Sequence, residues 1–181
     1  MKKRFENEAL RTVTIAQLNA ENREGFVALT GPVFEHSPWI AEAVWGRRPF
    51  ADLEDLLVKM RAVIQASSSQ AQVALIAAHP ALAGRTAREG SLTAASQGEQ
   101  CAAGLDRLEV SEQAAFDRQN SAYSERFGFP FVICAREHTP ASILIELASR
   151  VRNERSVEIS TALDEIMKIA RLRLRQIVTN D

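Results

Sequence analysis

The chain is poor in cysteine, with only Cys101 and Cys134 in 181 residues, far apart and in no metal-ligand spacing. That excludes a disulfide-stapled scaffold and predicts a reduced, intracellular protein, with the cytoplasm as the default. The N-terminal MKKRFENEALRTVT carries charges with no apolar region behind them, so no secretory signal is expected. No run approaches the roughly 20 apolar residues of a membrane span, and the closing TND is not a peroxisomal address. Charge of one sign is lacking too: 22 Lys and Arg stand against 23 Asp and Glu. A net charge near −1 provides no field for nucleic acid or an anionic membrane, and no aromatic-basic stripe suggests either. Glycine (8) and proline (6) are scarce, strand signals are nearly absent, and no repeat or linker divides the chain. One domain over 1–181 is expected, with 1–13 a candidate loosely ordered extension.

What is present is helical. Ala, Leu, Glu and Arg are abundant and apolar residues recur at three and four, which predicts an all-α fold of about eight helices. NREGFVAL is a short helix stopping at Gly31-Pro32, and Ser37-Pro38 reads as a cap plus proline opening a helix over WIAEAVW. Ala51 to Gln65 carries one apolar stripe, Leu53, Leu56, Leu57, Met60 and Ile64. Gln70 to Ala78 is apolar nearly all round and ends at His79-Pro80, because a residue before proline is biased away from helical angles. After the polar loop GRTAREGS come helices over Thr93 to Leu105 and Ser111 to Arg126. Thr139-Pro140 then opens another through Val151, and Glu154 to Val178 forms a long last one. RFGFPFVICA breaks the pattern; its Gly, Pro and β-branched run predict a short extended buried segment near 130–135.

A few residues could carry chemistry. Ser96, Glu99 and Gln100 fall at i, i+3 and i+4 and share a helix face, which is either a site floor or a solvated face. His79 closes a buried helix, as a satisfied polar group, a cation at the dipole's negative end, or a general acid/base. His36 and His138 share no ligand spacing with it, so no metal site is expected. Extended backbone in a helical protein needs partners for its N–H and C=O groups, from neighbours, water or a ligand. Arg173 on the last helix either faces solvent or turns inward as a fork for a carboxylate.

Together these pieces resemble one family, the decarboxylases of 2-oxo-4-hydroxy-4-carboxy-5-ureidoimidazoline (OHCU) in purine breakdown. The resemblance runs through FEHSPWIAEAVWGRRPF, AAHPALAG, SLTAASQGEQCAAGLDRL, NSAYSERFGFPFVICAR and EIMKIARLRL, in family order from about residue 15 to 175. The chain departs from it at Ala81 and Ala95, where the family often has an acidic residue. The resemblance implies an all-helical homodimer without metal or organic cofactor that converts OHCU to (S)-allantoin and carbon dioxide. Residue by residue, it makes His79 the catalytic acid/base with Glu99 as its partner. It places Pro80, Ser96, Gln97, Gly98, Gln100, Phe131, Val132, Ile133, Cys134, Ala135 and Arg173 at the substrate, with backbone amides of 132–135 polarising its carbonyls. The rival readings are a non-catalytic helical scaffold and an enzyme for another ureido or imidazolone compound.

Overall fold

Most helices of this chain begin where a short polar side chain can take an orphan backbone amide. Thr14, Asn22, Asp52, Ser68, Thr93 and Thr139 each accept a hydrogen bond from the amide three residues on. The computed structural model describes residues 12–84, 90 and 92–179. Among them are nine α-helices: α1 Ile15–Ala20, α2 Arg23–Thr30, α3 Trp39–Trp45, α4 Leu53–Ala66, α5 Ser69–Ala77, α6 Ala94–Ala102, α7 Val110–Phe127, α8 Pro140–Arg150 and α9 Arg155–Ile177. Short 3-10 turns lie at Gly31–Val33 and Ala135–Glu137.

The all-α expectation holds, with one more helix than the eight read from periodicity. The addition is α1, only six residues long, announced by the T-x-x-Q capping box of Thr14 and Gln17. The one sheet among the described residues is a parallel pair of two-residue strands, β1 Val13–Thr14 and β2 Val178–Thr179. The candidate N-terminal extension lies mostly on 1–11, outside the described residues, as does most of GRTAREGS; Val13 itself is buried and paired with Val178. Ser37 does not cap α3: Pro38 occupies the cap position without a side-chain bond, and the Ser37 side chain is buried.

The long helix α9 is the spine. Its buried face includes Ala162, Ile166, Met167, Ala170 and Leu174 but also Glu158, Glu165 and Arg173, and it packs on α4 and α5. Beside it the chain from Pro130 to Cys134 runs extended, as expected, with Phe131 to Ala135 all buried and the Cys134 amide bonded to Glu165 in the middle of α9. Gly128, at φ 76° in the left-handed region, ends α7 and turns the chain into this segment. Tyr123, Phe127, Phe129 and Phe131 form an aromatic cluster with centroids 4.7 to 6.1 Å apart, which anchors the segment's start. Burial of each such ring stabilises by roughly 1.5–3 kcal/mol.

Candidate functional site

The end of α5, one face of α6, the extended segment and α9 line a small, partly open cavity of about 30 Å³. It is lined by His79, Pro80 and Leu82, by Ser96, Glu99 and Gln100, by Phe131, Val132, Ile133 and Ala135, and by Ile169 and Arg173. Most of the residues singled out from sequence therefore meet in one place. Three do not line it. Gln97 and Gly98 are exposed, because a helix turns about 100° per residue and the face holding 96, 99 and 100 cannot hold 97 and 98. Gln97 borders a separate depression with Cys101 and Gln113. Cys134 is buried away from the cavity; its amide donates to Glu165 Oε2 at 2.8 Å and so is not free to polarise a ligand carbonyl. Burial, helped by Glu137 and Glu165, pushes its thiol up to about 11, which makes it an inert packing group.

His79 is 5% exposed. Its Nδ1 lies 2.9 Å from the Leu75 carbonyl, an acceptor, so Nδ1 carries the proton of the neutral ring and Nε2 carries the lone pair. Nε2 is buried with no hydrogen-bond partner. Burial drives the ring's pKa down to about 4, against the opposing effects of the Leu75 carbonyl and the Glu35 charge, while Arg173 and His36 add to the fall. At neutral pH the residue is thus an uncharged base, not the half-protonated imidazole its ordinary value suggests.

Glu99 lines the same cavity as His79, and its hydrogen bonds among the described residues run to Arg173. Both Glu99 oxygens accept from Arg173, Oε1 from Nε at 2.7 Å and Oε2 from Nη2 at 2.8 Å, a bidentate fork. Arg173 also donates to Glu35 Oε1 at 2.9 Å, to Ser96 Oγ at 3.2 Å and, through Nη1, to the Val33 carbonyl at 3.2 Å. The arginine did turn inward, but its fork is filled by protein carboxylates. Glu35 escaped the sequence reading. It is 3% exposed and also accepts from Ser96 Oγ at 2.6 Å and Thr93 Oγ1 at 2.9 Å. Burial works to raise its pKa, yet the Ser96 bond and the Arg173 charge outweigh it and hold the carboxyl below the usual range. The available signal was an acid inside the apolar stretch GPVFEHSPW, with neighbours certain to be buried.

Side-chain amides fix the loop after α5. Gln100 Oε1 accepts from the Ala83 amide at 3.0 Å, Gln113 Nε2 donates to the Ala83 carbonyl at 2.8 Å, and Asn120 Nδ2 donates to the Leu82 carbonyl at 2.9 Å. Ala83 sits at φ 50°, a strained position for a residue with a Cβ, and these bonds hold it there. Gln100 Nε2 remains buried without a partner. The cavity thus presents one orphan acceptor, His79 Nε2, and one orphan donor, Gln100 Nε2, beside an anion-rich cluster. Such buried groups are normally satisfied, and a small polar ligand with both functions would satisfy them. Among the described residues no group of three His, Cys, Asp or Glu is arranged to hold a metal ion, and no helix is long and apolar enough to cross a membrane.

Known proteins resemble the chain closely. A family model described as OHCU decarboxylase matches residues 19–175. A 2-oxo-4-hydroxy-4-carboxy-5-ureidoimidazoline decarboxylase of Amia calva is 44% identical over 162 residues, 90% of this chain and 93% of its own. One from Haloferax volcanii is 39% identical over 167 residues, 92% of this chain and 97% of its own. A solved structure described as (S)-allantoin synthase superposes with a TM-score of 0.74 at 26% identity; the match covers 92% of this chain and 54% of that longer one.

Proposed function

The chain belongs to the OHCU decarboxylase family, and from that premise we propose that it converts OHCU to (S)-allantoin and carbon dioxide through the His79 cavity. It is a carboxy-lyase of urate degradation. The observation that supports the site most directly is the buried His79 Nε2, uncharged and unpartnered, in a cavity that also holds Glu99 and Arg173.

Loss of carbon dioxide leaves the electron pair of the broken C–C bond on the substrate ring, where the adjacent C=N accepts it. The ring nitrogen that takes the pair picks up a proton from solvent, the hydroxyl on the same carbon gives up its proton to become a carbonyl, and the neighbouring carbon gains one. The substrate is its own electron sink, so the protein's task is orientation and proton control. A histidine with a pKa near 4 and a bare Nε2 fits the first half: it accepts the hydroxyl proton as a base. The imidazolium so formed is a strong acid, suited to return the proton to carbon. The neutral ring at pH 7 supports this order, base first and acid second, and a pH–rate profile tests it.

Glu99, held rigid by Arg173, accepts hydrogen bonds from ureido or ring N–H groups. Gln100 Nε2 donates to a substrate carbonyl, and Phe131 to Ile133 wall the ring. Arg173 acts chiefly by holding the two carboxylates. The family reading also carries a homodimer, a cytoplasmic setting and a single domain, which light scattering, cell fractionation and limited proteolysis test. For the chemistry, circular dichroism of allantoin formed from fresh OHCU is decisive, because the unassisted reaction gives a racemate. Wild-type protein should give faster, single-handed product. His79→Ala should lose roughly 10²–10⁴-fold in rate, and retention of near wild-type rate would remove His79 from the mechanism. Unchanged turnover in Glu99→Ala would remove Glu99 likewise.

A further inference from the structure

Glu35 does not line the cavity, yet it bonds two residues that do, Ser96 and Arg173, and the Thr93 cap of α6. Its Oε1 gathers three donors: Ser96 Oγ, Thr93 Oγ1 and Arg173 Nη2. Arg173 Nη2 in turn donates to Glu99 Oε2, so one guanidinium nitrogen bridges the two carboxylates. Thr93 caps α6 through the Ser96 amide at 3.2 Å, so Glu35 also grips the first turn of the helix that bears Ser96, Glu99 and Gln100. The turn presenting Glu35 is specialised. His36, the next residue, has φ 46°, a left-handed conformation uncommon outside glycine and asparagine, and it lets the chain reverse with Glu35 aimed inward while His36 itself stays exposed.

We propose that Glu35 is a positioning residue for the decarboxylation, fixing Glu99 through Arg173 and Ser96 and leaving the buried cluster one negative charge in excess beside His79. This rests on the decarboxylase reading for its kinetic consequence only. Two carboxylates share one guanidinium, so the Arg173 charge does not neutralise both. The excess favours the protonated form of the ring once it has taken the substrate's proton. Charged or titratable groups reach His79 from every surrounding element: Glu35 and the exposed His36 from the turn before α3, Glu99 from α6 and Arg173 from α9. Glu35 is the one among these that raises the ring's proton affinity most.

The test uses Glu35→Gln and Glu35→Asp, read by kinetics and by the His79 ring titration in two-bond ¹H–¹⁵N spectra. Glu35→Gln removes the charge and keeps the size. We expect kcat to fall roughly 10- to 100-fold with KM changed far less, and the His79 midpoint to move down by roughly half a pH unit. Glu35→Asp keeps the charge but withdraws its oxygens by about 1.5 Å; it should leave the midpoint in place and still lose most of kcat. A folded Glu35→Gln with wild-type kcat and an unmoved midpoint overturns the proposal, as does a fully active Glu35→Asp. Should Glu35→Gln fail to fold, the aspartate variant decides. A wild-type protein without decarboxylase activity would sink the functional reading alone, and the ring titration, which needs no substrate, would still judge Glu35.

Discussion

Arg150 and Arg173 are equally buried, both held by carboxylates and both beside the extended segment, one bonded to its backbone and the other across the cavity it lines, yet their clusters differ in kind. On the Arg150 side, Glu158 accepts from Arg150 Nε at 2.9 Å, Arg150 Nη2 at 2.6 Å, Asn153 Nδ2 at 2.8 Å and the Tyr123 hydroxyl. Arg150 Nη1 reaches the Val132 carbonyl at 2.9 Å, and the guanidinium lies 4.4 Å over the Phe131 ring. One cation meets one anion, and both Glu158 oxygens are bonded. Arg173 instead meets two anions and borders a cavity with two orphan polar atoms. A neutral, closed network rigidifies; an anionic, open one leaves interactions for a ligand to complete. The segment is therefore clamped by structure at Arg150 and open to chemistry where it lines the cavity.

The sharpest way to break that contrast is to remove each guanidinium in turn. Either change leaves buried carboxylate unpaired, which costs about 3–5 kcal/mol of stability. Arg173→Met should in addition lose roughly 10²-fold or more in kcat/KM per folded molecule, because Glu99 and α6 are no longer held. Arg150→Met should lower the midpoint of thermal unfolding by a similar amount while the folded fraction keeps its activity within a few-fold. Equal activity losses in the two variants would mean the Arg150 clamp is part of the site.

A second test uses pH. The His79 ring has a pKa of about 4 in the folded chain against 6.5 unfolded. Between those values the unfolded state binds the extra proton, so stability rises with pH through this window and is lost on acidification from 6.5 towards 4. The shift corresponds to about 3 kcal/mol at its full extent. Glu35, with its folded pKa depressed, contributes stability present above its unfolded value of 4.5 and lost at still lower pH. Chemical denaturation from pH 7 to 4 should give a steep acid slope for wild type and a flatter one for His79→Asn. No such change is expected from altering the Arg150 cluster, and an unchanged slope in His79→Asn would refute the depressed pKa.

What sequence alone could reach divides along a physical line. Helices were legible because caps and 3.6-residue periodicity are local, and the extended segment because Gly128, Pro130 and a β-branched run are local too. The strand pair joining Val13 to Val178 was not, since two residues carry no period. Ser96, Glu99 and Gln100 were found by helix geometry, whereas Gln97 and Gly98 came from reading the SQGEQ block whole, and the helix face separates them. Glu35 was invisible because its defining partner, Arg173, is 138 positions away. For the same reason nothing local in ARLRLR shows that the fork of Arg173 is occupied. Only the fold shows that Glu99 and Glu35 already fill it.

The smallest expected effect lies within α6 and turns the contrast between the two arginine clusters into one between neighbours. Gln97 is exposed and borders only an outer depression, while Gln100, one turn nearer the helix end, borders that depression too but also grips the Ala83 amide and lines the cavity. Surface substitutions of this sort usually move stability by no more than about 0.5 kcal/mol. Gln97→Ala should therefore leave kcat, KM and the unfolding midpoint within error, measured beside Gln100→Ala, which loses both the loop anchor and the orphan donor. If Gln97→Ala instead raised KM severalfold, α6 would have to present a second face to the substrate. One helix on one side of a cavity can do that only if the substrate, or another chain, reaches around it.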